Sequence, residues 1–331
     1  MKKAFKIVYF SVAALALVAV LAICFAVWFA FTPKKLTPFI RNQAAKTITC
    51  QAQIGEVELT FFSTFPNFGL KISKFALYHA EPADTIVKAD EMIGILNTTA
   101  LLKRNELVLN EISLSNGVIC LYTDSLGKTN FDILMPSEEE PEKEATSSFE
   151  FNLINVEEVK LNNINLSYID HTSKIDVEMN GLSAKMSGSL AKENLKSSIL
   201  VDQSNISFQF DTIQYLNRAA VKLHLNSDFQ LAQQHLSINQ GSIEVNKMGF
   251  DFNGDIINDT INKRIVTDLH YSFNKWPVNA MLTLVPRAFE TYLQGIRANG
   301  ILSSTGHISG AYSDNTLPVV DINLILEQGE L

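Results

Sequence analysis

From Val159 onward, apolar side chains recur at every second position, and that period limits what the chain can fold into. Val159 and Leu161 alternate with polar residues, slip by one at Asn162-Asn163, and resume at Ile164, Leu166 and Tyr168. Ile206, Phe208 and Phe210 follow the same rule, as do Leu223, Leu225, Phe229 and Leu231. Successive side chains of a strand point to opposite faces, so a period of two gathers the apolar ones on one face. The slip at Asn162-Asn163 reads as a β-bulge, where one extra residue restores the phase. Asn239-Gln240-Gly241-Ser242 and Asn253-Gly254 fall between further apolar pairs and read as turns. Short strands joined by such turns indicate an antiparallel meander rather than βαβ units.

The residues before this region carry the same texture with more interruption. Leu36 to about Thr47 reads as a short helix with Pro38 near its start. Short strands follow at Glu56–Leu59, at Leu70, Ile72, Phe75 and Leu77, and at Met92–Leu96. A helical turn is expected at Thr99–Lys103 before a strand at Glu106–Leu109. Ile112 and Leu114, then Val118, Cys120 and Tyr122 beyond Asn116-Gly117, read as a hairpin. The aromatic segment Phe61–Phe68 is either a packed corner of the sheet or a membrane-docking turn. One later helical segment is expected over Pro277–Leu293, broken near Pro286.

The first residues have a different character. Between Lys6 and Lys34 lie 27 uncharged positions, nearly all apolar, including Ile7, Leu15, Leu21, Trp28 and Phe31. About 20 apolar residues cross a ~30 Å hydrocarbon core, so the run is expected to span a membrane. A cleaved signal peptide has a shorter apolar region ending at small residues, whereas this one ends at Trp28, Phe29 and Phe31. Leu21-Ala22-Ile23-Cys24 matches a lipoprotein cleavage site poorly, because Ile23 is bulky. The expected arrangement is a six-residue tail inside and the long domain exported.

The formal charge of -8 is concentrated: Glu138, Glu139, Glu140, Glu142 and Glu144, offset by Lys143, supply half of it. Residues 136–148 contain two prolines and no large apolar group, and read as an acidic flexible linker. The expected organisation is therefore 1–33 tail and anchor, 34–135 an α+β region, 136–148 linker, and 149–331 a β-rich region that stops directly after a strand. No basic stripe remains to hold phosphates, so nucleic acid is not an expected partner. Cys50 and Cys120 could pair only if the fold brings them together; free thiols are the plainer reading.

Chemistry is hard to place on this chain. The six histidines are scattered, without an H-E-x-x-H motif or a close His/Cys pair. Gly127-Lys128-Thr129 resembles the end of a P-loop, but Tyr122 stands where the earlier glycine is needed. Asp170-His171 is read as a solvated turn. No enzyme activity, cofactor or metal is expected.

Four stretches carry a resemblance to the AsmA family of envelope proteins. One is the anchor, the short helix and Glu58–Ile72. Another is Leu101–Leu107 followed by Ile112–Gly117. The third is the acidic linker feeding Val159–Asp170. The fourth comprises Leu284-Val285-Pro286, Tyr292–Gly295, Ala298-Asn299-Gly300, Gly306–Ser313 and Pro318. The resemblance implies a single-pass protein of a bacterial inner membrane with its β-domain in the periplasm. It implies a role in outer-membrane biogenesis and a kinship with bridge-like lipid-transfer proteins, in which a curled sheet exposes an apolar groove to acyl chains. The implied fold is mainly β with an N-terminal transmembrane helix, a long curled antiparallel sheet and a few short helices.

Alternation alone allows two outcomes: a sheet folded over its own core as a sandwich or barrel, or an apolar face left for lipid. The resemblance favours the second. The candidate groove residues are then Val159, Leu161, Ile164, Leu166, Tyr168, Ile206, Phe208, Phe210, Leu223, Leu225, Phe229 and Leu231, and the expected partners are a phospholipid or other envelope lipid and the membrane. The alternative function is a non-catalytic scaffold or modulator that binds outer-membrane proteins or their assembly machinery.

Overall fold

The computed structural model describes residues 32–60, 64, 67–79, 84–97, 109–132, 156–191, 194–289, 292, 298–313 and 315–330. Among them one sheet dominates. Its strands are β1 (Gln51–Gln53), β2 (Val57–Thr60), β3 (Phe68–Tyr78), β4 (Thr85–Leu96), β5 (Leu109–Thr123), β6 (Glu158–Asp170) and β7 (Ile175–Ala191). They continue as β8 (Asn194–Phe210), β9 (Ile213–Gln230), β10 (His235–Val245), β11 (Met248–Asp259), β12 (Arg264–Pro277), β13 (Asn299–Tyr312) and β14 (Val319–Glu330). From β3 to β14 the spatial order is the chain order, with β1 and β2 both paired to β3. The sheet does not close, since β14 pairs only with β13.

The fold class expected from sequence is present in outline: mainly β, one large open sheet, few helices. The sheet is mixed, however, because β5 and β6 run parallel. Parallel neighbours need a crossover of a dozen or more residues. The 34 residues between Thr123 and Glu158 supply it, and the acidic run 136–148 lies in that crossover, outside the described residues. Also outside are the Thr99–Lys103 turn, most of Phe61–Phe68, and the membrane span apart from Thr32 and Pro33. Among the described residues no helix is long and apolar enough to cross a membrane.

The strands are longer than the turn signals indicated. Asn116-Gly117, Asn239–Ser242 and Asn253-Gly254 are not chain reversals; each lies inside one continuous strand. Asn116 has φ 52° and is passed over in the pairing with β4, which steps from Glu91–Ser115 to Ala89–Gly117. Asn tolerates the left-handed region that tight hairpins and bulges both use, so the same dipeptide serves either. The bulge expected at Asn162-Asn163 is present: Asn163 has φ 53° and the pairing with β7 shifts between Leu161 and Ile164. These irregularities line up. Lys74, Asn116, Asn163 and Gly181, all with positive φ, sit in one seam across β3, β5, β6 and β7. Asn163 Nδ2 donates to Asn116 Oδ1 at 2.9 Å, and Asn165 Oδ1 accepts from the Gly181 N–H at 3.0 Å.

True reversals use different chemistry. Asp170 ends β6 and its carboxylate accepts from the backbone N–H and hydroxyl of both Thr172 and Ser173, at 2.6–3.1 Å. Asp170 is buried, not solvated as the sequence reading had it. Thr172 first, then Ser173, hold its carboxyl well below the usual carboxylate range. Asp259 repeats the device with Asn262 and Arg264, and its pKa falls to about 2.

Helix α1 (Pro33–Thr47) matches the expected segment. Proline near its start suits a position whose N–H has no helical partner. It lies on the first strands through Leu36, which packs with Ile54, Val57 and Ile72. Arg41 donates to the Ile54 carbonyl, and Thr37 Oγ1 accepts from the Val57 N–H at 3.0 Å. In the later helical segment the expected break near Pro286 is present: α2 (Val278–Leu282) precedes it, and a 3-10 turn at Arg287–Phe289 and the helical Tyr292 follow, with 290, 291 and 293 outside the described residues. Pro286 disfavours helical backbone at Val285 and lacks a donor, and Thr283 Oγ1 ties back to the Ala280 carbonyl at 2.6 Å. Cys50 and Cys120 are free thiols, and burial raises the Cys50 pKa.

Candidate functional site

Cross-strand partners share a face, so the pairing register can be followed from one edge of the sheet to the other. One row runs Val57, Ile72, Met92, Leu114, Leu161, Ala184, Val201, Leu223, Ile243, Phe250, Phe273, Ser304 and Leu324. Ser304 is its one polar member. A neighbouring row runs from Val159 through Met186, Ile199, Leu225, Gly241, Phe252, Tyr271 and Gly306 to Ile322. At a strand spacing of about 4.8 Å, thirteen strands make each full-width row about 58 Å long. The bulges keep this face apolar: Leu161 and Ile164, or Phe273 and Trp276, are three apart in sequence yet on the same side.

Glycines under aromatic rings complete the surface. A Cβ at Gly241 would stand 2.3 Å from the Phe252 ring, and one at Gly306 would stand 2.2 Å from Tyr271. Both rings therefore lie across a neighbouring strand, in a space only glycine leaves. Phe250 stacks on Tyr271 with centroids 5.5 Å apart, and Phe273 on Trp276 at 4.3 Å.

The opposite face is polar. Lys160 bridges Glu111 at 2.7 Å and Glu158 at 2.9 Å, and Lys185 reaches Glu158 at 2.7 Å. The Glu111 hydrogen bond raises the Lys160 pKa. Partial burial pushes Glu158 upward, but its two lysine partners outweigh this and lower its pKa. Leu200 and Ile325 are apolar exceptions on this side, opposite His224 and Ser303.

Of the twelve candidate groove residues, eleven lie on strands with their side chains on the apolar face. Leu231 falls in the turn after β9. Leu161 and Ile164 are buried in the cluster formed with Ala89, Leu114, Leu182 and Ala184. Val159, Leu166, Tyr168, Ile206, Phe208, Leu223, Leu225 and Phe229 are half-buried, and Phe210 is exposed. The sequence reading left out Ile199, Val201, Tyr271, Phe273 and Trp276, although Leu269, Tyr271 and Phe273 show the same period of two.

Cover on the apolar face is uneven. At one end α1 lies over β1 and β2 and packs through Leu36 against Ile72 and Val57, which is 0% exposed. At the other, β14 presents Val320, Ile322, Leu324 and Leu326 at 50–60% exposure. In between, the described helical elements meet the sheet only where α2 touches β12 and β13 and the 3-10 turn touches β9. No second sheet packs on it among the described residues. No curated protein and no solved structure matches the chain. The model of the AsmA family matches residues 1–276, ending inside β12, so the stretches from Leu284 to Pro318 lie beyond the match. A match over that much of its length, on an open sheet with one apolar face, shows that the chain belongs to the AsmA family.

Proposed function

We propose that this protein is anchored in the inner membrane by residues 7–33 and that its periplasmic sheet holds lipid on its apolar face, handling or moving lipid between membranes in outer-membrane biogenesis. Family membership points to an envelope-related function. The observation that carries the finer reading is the apolar row running the full width of an open sheet with little above it among the described residues. Its length of about 58 Å is roughly twice the ~30 Å hydrocarbon thickness of a bilayer. Acyl chains need only non-directional apolar contact, so no catalytic or convergent polar group is required. The proposed role is non-catalytic.

The test is lipid recovery. The full chain is purified from native membranes in mild detergent and its co-purifying lipid measured by mass spectrometry. Leu223→Glu/Leu225→Glu places two carboxylates in mid-face at half-buried positions. Lipid retained by the parent protein and lost by a folded double variant supports the reading; equal recovery from both removes it.

A second reading draws on the outer edge of β14, which pairs with no strand among the described residues. Such an edge can add a client strand, as an assembly scaffold for outer-membrane proteins would. Photo-crosslinkers would yield protein adducts at Val319 and Asp321 on that reading, and lipid adducts at Ile322 and Leu324, on the apolar face, on the first.

A further inference from the structure

We propose that Asp268, His270 and His307 form a zinc-type metal site on the polar face of β12 and β13. The two histidines are 37 positions apart in sequence, but the register places them directly opposite each other. Asp268 is two residues before His270 on β12 and so shares its face. Asp268 Oδ1 lies 2.6 Å from His307 Nε2 and 3.8 Å from His270 Nε2. One donor atom from each residue falls within 4.8 Å of the others.

Two imidazoles and one carboxylate suit a borderline ion such as Zn²⁺, with water in the remaining position. Hard cations prefer an all-oxygen shell and are disfavoured here. The surrounding charge is suitable: Asp321 stands opposite His307 and Asp255 opposite Asp268. The described ion pairs of Asp268 are both with imidazoles, so no lysine or arginine occupies the place of a cation. His235 and Asp255 on the same face give a useful contrast. They meet at 2.7 Å, but the third member is Ser237, which makes a hydrogen-bonded cluster and not a ligand set.

The histidine rings are stacked, with centroids 4.1 Å apart and planes 7° from parallel. Two parallel planes cannot both contain one metal ion. Binding therefore requires one ring to swing toward Asp268, and His270, whose side chain is 57% exposed, is free to do so. The ion would pin β12 to β13 next to the exposed strand β14.

Titrating the full chain in detergent with ZnCl₂ by calorimetry, and with CoCl₂ by visible absorption, tests the site. One saturable equivalent is expected, with tetrahedral cobalt bands. His270→Asn/His307→Asn should weaken binding by at least about 100-fold, the upper end of what loss of even an outer partner costs. His235→Asn should leave it unchanged. Circular dichroism and the metal-free melting temperature check that each variant folds. Absence of saturable binding, or an affinity of the folded double variant within threefold of the parent, overturns the proposal. Neither readout depends on lipid.

Discussion

Ile164→Ala separates the residues that hold the sheet together from those that only line it. Ile164 is 0% exposed and packs with Leu114, Leu161, Leu182 and Ala184. Its truncation removes three carbons, worth about 2.4 kcal/mol at ~0.8 kcal/mol each. A cavity term adds to this where the surroundings cannot collapse. Gly117 is the cross-strand neighbour on one side and has no side chain to fill the gap. The total expected loss is therefore about 3–4 kcal/mol. Ile322 lies on the same face but is 57% exposed, so the same truncation there should cost about 1 kcal/mol with no cavity. Urea titration of the full chain in detergent, followed by far-ultraviolet circular dichroism, measures both. Equal losses, or a loss below about 1 kcal/mol at Ile164, would refute the view that burial on this face falls from the first strands to the last.

Other substitutions probe the backbone and the turns. Gly117→Ala would bring a Cβ to 2.1 Å from the Lys88 carbonyl oxygen, and should lower the urea midpoint sharply because backbone cannot step aside. Ser204 is 2% exposed and its hydroxyl has no hydrogen-bond partner among the described residues, so Ser204→Ala should raise stability by about 1 kcal/mol in the same assay. Asp170 and Asp259 have depressed folded-state pKa values; the stability they contribute is complete above the unfolded value near 4 and is lost as pH falls toward 2. Melting temperature measured from pH 5 to pH 2.5 should drop, and Asp170→Asn/Asp259→Asn should flatten that slope; an unchanged slope would refute the assignment.

Much of the apolar face was legible because alternation is a property of sequence, and the slip at Asn162-Asn163 even located a bulge. Strand length was misread because Asn-Gly pairs satisfy the left-handed backbone of a tight turn and of a bulge equally well. The distinguishing signal lay in the flanks. Leu114, Gly117 and Ile119 keep one face through Asn116, which a reversal would not require. The parallel pairing of β5 with β6 was hidden, since a low-complexity acidic stretch carries no trace of the strand it returns beside. The pairing of His270 with His307 was also invisible, because cross-strand neighbours are set by register and not by spacing. The Asp170 turn was placed correctly, but its burial depends on donors from Tyr168, Thr172 and Ser173 that converge only after folding.

The aligned bulges act on reading frame. A single deletion at Asn163 would restore plain alternation in β6, with Leu161 in, Asn162 out and Ile164 in, but would leave that strand without the extra residue its neighbours carry at the same height. The residues from Ile164 onward would then fall one position out of step with β5 and β7. An insertion of one residue at another height of a strand exchanges the two sides of everything beyond it unless it is taken up as a further bulge. The seam across β3, β5, β6 and β7 shows such shifts made in concert, so that each strand changes phase at the same height and the oily surface continues without a step.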